Sequence, residues 1–492
     1  MTTVQRVTLA PGLTMARALT GLWQVADMER DGRTLDLDAA AASMRPYVEA
    51  GLTSFDMADH YGSAEDIVGR YRAIAGAPTA QFFTKWVPKP GPVSRADVRE
   101  AVQRALARMK GDRIDLLQFH AWRFSDPSWL DALSFLDECR QEGLIGALGA
   151  CNFDTAHFRM AISTGIPFVS NQVCCSLIDR RATNRLGPYA AQQGVHLLAY
   201  GTLAGGFLSE QWLGKAEPGA EELSTWSLMK YKRFIDTAGG WGAFQGVLAA
   251  AGRVARRLGV SIANVASRWV LEQPGMGGVI IGARLSQSAH VDDTRRLFSF
   301  ALDAAAKAEL ATALEALAPI PGDCGDEYRR PPYLTASGDL SHHLASFPTP
   351  YRVAEGPHGR MQVKSGTTWE ATYGYARAVR VGTRIHVSGT TASHGDRLIG
   401  GTDAHAQAHF AIDKLEGAIA SLGGTLRDVV RTRVFVSSVA HWEAVARAHG
   451  ERFGDVTPAN TLVEARLVGA EFLVEIEAEA EMPGPPPHPP AP

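Results

Sequence analysis

Over the first two thirds of the chain, apolar residues fall into short runs. Each run is followed by a stretch whose apolar positions recur every three or four residues. The runs are ALTGLWQV, TSFDMA, QFFTKWV, IDLLQFHA, IGALGACNF, FVSNQVCC, VHLLAYGTL and GVIIGA. Between them, stretches such as AAAASMRPYVEAG, RADVREAVQRALARMKG and WLDALSFLDECRQEG carry a helical period. Several end in glycine, a common helix stop: Gly51, Gly143, Gly165 and Gly194. Eight strands alternating with helices predict an α/β fold, a (β/α)8 TIM barrel over residues 1–318. A doubly wound sheet is the alternative. Eight regular units, and no G-x-G-x-x-G after the first strand, weigh against it.

After Leu317 the rhythm breaks. The segment 319–352 is rich in Pro, Gly and Ser and has no period, which predicts an extended linker. A second rhythm starts near Arg352. ARAVRVGTRIHVSG predicts a hairpin, HAQAHFAIDKLEGAIASLGG a helix and VVRTRVFVSS a strand. HWEAVARAHGERFG predicts a second helix and FLVEIEAEAEM a final strand, giving a smaller α+β domain over 353–482. The proline-rich tail 483–492 cannot build a core and is expected to be disordered.

Composition narrows the function. The 492 residues are 46% hydrophobic, and Lys+Arg (49) nearly balance Asp+Glu (52), for a net charge of −3. That balance speaks against general nucleic-acid or membrane-surface binding. No apolar run reaches the length of a membrane span, and the N-terminus lacks a secretory core. The five cysteines are scattered and odd in number, fitting neither a disulfide scaffold nor a zinc site. A reduced cytoplasm is expected, with no metal.

In a (β/α)8 barrel the chemistry sits at the C-terminal ends of the strands. Those ends carry Trp23, Asp56 with Tyr61 in its loop, Lys85, His120, Asn152, Gln172 and Tyr200. A Tyr, a Lys, an Asp and a His at one mouth make a proton-transfer device. Tyrosine, with a pKa of about 10, is a poor acid near neutral pH. A Lys ammonium ~4 Å away interacts with phenolate by ~4 kcal/mol at an effective dielectric of about 20. That corresponds to roughly three pKa units. The Asp would keep the Lys charged and oriented, and a neutral His would hydrogen-bond the substrate oxygen. Asp59 and His60 read as solvated loop residues. Trp23, Trp86 and Trp122, beside strand ends, are candidates for an apolar substrate pocket. The segment 214–242 is long enough to cover the mouth.

These residues resemble the aldo-keto reductases over about residues 10–317. FDMADHYG resembles the family's D-x-A-x-x-Y segment, FFTKW its lysine and LLQFHAW its histidine. The resemblance implies catalysis by Tyr61, Lys85, Asp56 and His120. Asn152 in GACNF and Gln172 in SNQVCC would hold the nicotinamide carboxamide, and Tyr200 in LLAYG would stack on the ring. VIIGAR resembles the dinucleotide-clamping end, placing Arg284 at the 2′-phosphate of NADP, with Asp293 and Thr294 at the adenine end. The chain departs from the family pattern at Cys151, Gly201 and Thr294. The implied function is an NADP(H)-dependent carbonyl reductase or alcohol dehydrogenase acting on a small-molecule carbonyl, with NAD(H) as an alternative cofactor.

The second unit resembles the Rid, or YjgF-like, family over about residues 353–482, best at PANTLVEARLVGAEFLVEIEAEAEM. The resemblance implies a homotrimer with clefts that hydrolyse imines, in which Tyr375 and Glu475 match cleft residues. The family's carboxylate-gripping Arg is replaced by Asn460. Two other functions are therefore carried: imine processing, by hydrolysis in this domain or direct reduction in the barrel, and an NADP-binding sensor without catalysis.

Overall fold

The protein is described here by a computed structural model covering residues 3–30, 34–287, 290–329 and 348–483. The middle of the expected linker (330–347) and the tail from 484 onward lie outside the described residues.

All eight predicted runs form parallel strands of one closed barrel. They are β3 (Ala18–Gly21), β4 (Ser54–Asp56), β5 (Gln81–Trp86), β6 (Ile114–Phe119), β7 (Ile145–Cys151), β8 (Phe168–Cys174), β9 (His196–Tyr200) and β10 (Met276–Gly282). Ahead of them β1 (Arg6–Ala10) and β2 (Leu13–Ala16) pair as an antiparallel hairpin that the strand–helix rhythm does not announce. Its Leu9, Leu13 and Met15 share one buried cluster with the lumen residues Leu19, Phe83, Leu116, Leu198 and Ile280. Apolar side chains therefore fill the barrel from that end.

The two-residue period of each strand sorts its side chains between lumen and helix layer. On β5, Phe83 joins the lumen cluster, while Phe82 and Trp86 join the core beneath the helices. On β6, Leu116 faces in, while Leu117 and Phe119 face out. The inward rows continue past the apolar plug to Lys85 on β5, to Gln118 on β6 and to His120 just beyond its end. The charged and amide side chains of the inward face thus gather at the C-terminal ends.

The second unit is a seven-stranded sheet in the order β11-β12-β13-β14-β19-β17-β18. Its strands are β11 (Arg352–Glu355), β12 (Met361–Lys364), β13 (Ala378–Val381), β14 (Arg384–Thr391), β17 (Val429–Val436), β18 (Ala459–Glu464) and β19 (Val474–Glu481). A small hairpin joins β15 (Ser393–His394) to β16 (Arg397–Leu398). On β19 Val474, Ile476, Ala478 and Ala480 are buried, packing with Ile412, Leu415 and Ile419 of the helix Ala404–Ser421. The hairpin, both helices and both strands read from the sequence are present; β11, β12 and β18 are additional.

The two units share a core. Ala392, Ile399, Ala406 and Phe410 of the second are buried in the same cluster as Trp129 and Phe158 of the barrel. Ion pairs ring this contact: Arg159 to Asp403 (2.7 Å), Arg397 to Asp131 (2.5 Å) and His157 to Asp413 (2.9 Å).

Candidate active site

At the C-terminal end of the barrel a buried polar layer replaces the apolar plug. Asp56, Gln118 and Gln172 come from alternate strands β4, β6 and β8, the layer geometry of this fold. Asp56 Oδ1 accepts from Gln172 Nε2 (2.6 Å) and Gln118 Nε2 (3.1 Å), and Gln172 also donates to Gln118 Oε1 (2.9 Å). Lys85 Nζ, from β5 between them, donates to Asp56 Oδ2 (2.7 Å) and Met57 O (2.8 Å). Asp56 and Lys85 are each 3% exposed. A buried ion pair is tolerable only when its remaining valences are satisfied, and the two glutamines supply that. Gln172 was expected at the nicotinamide carboxamide. Its amide nitrogen bonds within this layer, because its inward strand position aims it at Asp56, and the residue also lines the cavity above.

Above the layer lies the mouth. The Lys85 ammonium sits 4.8 Å from the Tyr61 ring centroid. Trp23 packs edge-on against Tyr61, with centroids 4.8 Å apart, and His60 packs on it at 4.9 Å. His120 contacts Trp122 (4.5 Å) and Tyr328 (5.7 Å). Burial, reinforced by Arg329 and other nearby cations, pushes the His120 pKa well below its usual value. Its imidazole is therefore neutral near pH 7. Tyr200 Oη donates to Asn152 Oδ1 (2.8 Å), and Asn152 Nδ2 lies 3.5 Å from His120 Nε2. Asn152 takes a left-handed backbone (φ 55), which asparagine tolerates better than most residues. Burial raises the Tyr200 and Tyr231 phenols well above their usual pKa and pushes the Cys151 thiol up to about 12. All three stay protonated.

These groups line one cavity of about 610 Å3, within the roughly 300–1,000 Å3 usual for small-molecule sites. It contains Trp23, Trp122, all four residues of the Tyr–Lys–Asp–His set, Asn152, Gln172, Tyr200, Arg284, Asp293 and Thr294. Trp86 is not among its lining residues. It is buried against Phe119 (5.8 Å) in the outer core, because it neighbours inward Lys85 and so faces the opposite side of β5. At the far end, Asp293 accepts from Asn264 Nδ2 (2.8 Å) and Ser261 Oγ (3.2 Å), and exposed Arg284 donates Nε to Gln24 Oε1 (3.4 Å).

Several residues of the site, one in the buried layer and others around the cavity, escape sequence reading. Gln118 lay within reach of it, being two residues before His120 on the same inward row. Lys230 belongs to the segment expected over the mouth, which forms the helix Trp226–Thr237 and contributes Trp226, Ser227, Lys230 and Tyr231. Tyr328 lies in the segment read as linker, where no periodic signal marks it. Residues Asp326–Arg329 instead form a helical turn seated on the mouth. Arg329 donates to Asn152 O (2.6 Å) and Ala121 O (2.5 Å), Glu327 pairs with Arg181 (2.8 Å), and Tyr328 Oη bonds Lys230 Nζ.

In the second unit, buried Arg377 donates to Gly389 O (2.7 Å) and pairs with Glu370 (3.2 Å). Tyr375 lies 5.7 Å from its guanidinium. Burial raises the Glu475 pKa, with Arg377 opposing. Asn460 is exposed on β18, accepting from Thr432 Oγ1 (3.4 Å). The structure thus draws Tyr375 and Glu475 to Arg377, a residue the sequence reading passed over. Asn460 stays beyond β17.

Two known families match the chain. The pattern of the aldo/keto reductase family matches residues 19–315, and that of the family described as endoribonuclease L-PSP matches residues 366–482. The chain belongs to the aldo/keto reductase family and carries a C-terminal domain of the L-PSP, or YjgF/Rid, type. Its barrel is an oxidoreductase domain. The aldo-keto reductase YhdN of Bacillus subtilis is 24% identical over 349 residues, spanning 65% of this chain and 96% of that protein. An uncharacterized protein of Streptomyces coelicolor, SCO2049, is 41% identical over 120 residues, 24% of this chain and 90% of its own length. The solved structure of a glycerol dehydrogenase, AKR11B4, from Gluconobacter oxydans shares the barrel fold. It has a TM-score of 0.53 at 24% identity, covering 65% of this chain and 97% of that one.

Proposed function

We propose that the barrel is an NADP(H)-dependent carbonyl reductase or alcohol dehydrogenase in which Tyr61 gives and takes the substrate proton. The observation that carries this reading is the placement of Lys85: anchored by a buried, fully bonded Asp56, 4.8 Å from the Tyr61 ring, in the wall of a cavity it shares with neutral His120. The cavity also suits a dinucleotide. Thr202 Oγ1 and Ser267 Oγ in its lining residues are buried without a hydrogen-bond partner among the described residues, and Arg284 brings a guanidinium to its wall. Bound there, the nicotinamide would supply or accept the hydride.

The chain's own groups handle the proton and the oxygen. Asp56 and Met57 O hold the Lys85 ammonium in place. Its charge favours the phenolate of Tyr61, which brings that hydroxyl toward working range. His120, kept neutral by burial, donates or accepts one hydrogen bond at the substrate oxygen. Trp23 and Trp122 exclude water from an apolar face. Asn152 and Tyr200 orient each other at the cofactor side, and Arg284 is the group we assign to the 2′-phosphate. The five thiols are all free and buried, which suits a reducing, cytoplasmic setting.

The reading is tested by following NADPH absorbance with a panel of aldehydes, ketones and imines. Tyr61→Phe is expected to lower turnover by about two to four orders of magnitude while NADPH binding stays nearly intact. Near-normal turnover in that variant would falsify the assignment, and no turnover by the wild type on a broad panel would favour an NADP-binding sensor.

For the second domain we propose assembly of a homotrimer. All nine exposed large hydrophobic residues among the described ones, from Met361 to Val468, lie in this domain; Trp369, Tyr373 and Trp442 are the aromatic ones. Exposed apolar surface of this kind marks an interaction face.

A further inference from the structure

A second group of potential ligands lies away from the barrel mouth. His405 and His409 are four residues apart on the helix Ala404–Ser421, which puts both imidazoles on one face. Glu451 reaches them from the neighbouring helix Trp442–Phe453. His405 Nε2 and His409 Nε2 lie 3.1 and 2.9 Å from the same oxygen, Glu451 Oε2, and the two rings are 4.6 Å apart. One donor atom from each residue falls within 4.8 Å of the other two. Among the described residues neither imidazole has a partner at Nδ1, and each ring is held through Nε2.

Two imidazole nitrogens and one carboxylate oxygen, with an i,i+4 histidine pair, are a donor set used by zinc sites that keep an open position. A tetrahedral cation at about 2.0–2.1 Å would hold its donors roughly 3.3 Å apart, a few tenths of an ångström wider than the contacts seen. The other oxygen, Glu451 Oε1, is paired with Arg185 of the barrel, which leaves Oε2 to the histidines. His409 and Glu451 also line an interdomain cavity of about 410 Å3, whose wall includes Trp122 and Tyr328. Those two residues line the catalytic mouth as well.

We infer that His405, His409 and Glu451 bind one divalent transition cation of the zinc type, with its open coordination position toward the interdomain cavity. Imidazole ligands favour zinc, nickel or copper over magnesium or calcium. A cation there would tie the two helices together and, through Glu451 and Arg185, brace the second domain on the barrel.

The full chain, stripped with a chelator, would be titrated calorimetrically with Zn2+ and, in parallel, with Mg2+. One equivalent of Zn2+ should bind and raise the thermal midpoint, with no heat from Mg2+. Co2+ should give a visible spectrum without a thiolate charge-transfer band, which separates this site from the five cysteines. Glu451→Gln and His409→Gln should each weaken Zn2+ at least a hundredfold, with folding checked by circular dichroism. His405→Gln, at the more exposed ligand, serves if His409→Gln fails to fold. Absence of Zn2+ binding by the wild type, or affinity unchanged in His405→Gln and Glu451→Gln, would overturn the inference.

Discussion

At the scale of single residues, the site depends on how a buried charge is satisfied. Asp56 accepts three hydrogen bonds, and Gln118 supplies one while receiving another from Gln172. Gln118→Leu removes both functions at a fully buried position. It should destabilise the protein by about 1–3 kcal/mol, measured by denaturant unfolding, while the affinity for NADPH stays near wild type. Arg284 makes the opposite kind of contribution, being exposed and, among the described residues, bonded at long range to Gln24. If it grips the 2′-phosphate, Arg284→Ala should weaken NADPH binding by about 1.5–3 kcal/mol and leave NADH nearly unchanged. Equal losses for both cofactors, measured by fluorescence titration, would show another role.

At the scale of elements, the helix Thr155–Ser163 docks on Ala404–Ser421 through His157. Its Nδ1 lies 2.6 Å from Asp154 Oδ2 and its Nε2 2.9 Å from Asp413 Oδ2, with Arg452 bonding the other oxygen of Asp413 and the His409 ring edge nearby. Burial opposes charging His157, but Asp154 and Asp413 outweigh it and raise its pKa to about 9. A folded-state pKa above the unfolded value of about 6.5 means stability that is full below about pH 6.5. That contribution is lost as pH rises through 9. His157→Ala should therefore cost about 3–5 kcal/mol near pH 6, as for one partner of a buried pair. The gap from wild type in thermal midpoint should narrow above pH 9, leaving the part due to lost stacking on Phe124. A gap constant from pH 6 to 10 would sink this account.

At the scale of the whole molecule, the barrel is not self-contained. Tyr328 and Arg329 complete its mouth from beyond the last barrel helix, and Ala406 and Phe410 bury themselves in its outer core. Arg329→Ala in the full chain leaves the carbonyls of Ala121 and Asn152 without that guanidinium. We expect it to raise KM for the carbonyl substrate more than it lowers thermal stability. Light scattering of the intact chain should give three times the 52.8 kDa monomer mass. A monomer mass would remove the assembly role proposed for the exposed face of the second domain.

The strand order, the barrel and the inward placement of Asp56, Lys85 and His120 were legible in the chain alone, because strand period and chain order are local properties that survive without neighbours. The chain also marked the helices and strands of the second domain, where apolar alternation is clean. What those residues touch was set by folding. It turned Gln172 into the Asp56 layer and sent Trp86 outward. It brought Arg377, rather than Asn460, to Tyr375 and Glu475. It also converted part of an apparent linker into the cap over the mouth. The His405 and His409 pair was legible as an i,i+4 spacing, but its partner Glu451 comes from another helix. Such contacts join positions far apart in the chain, and their energies depend on burial and on partners that no local pattern encodes.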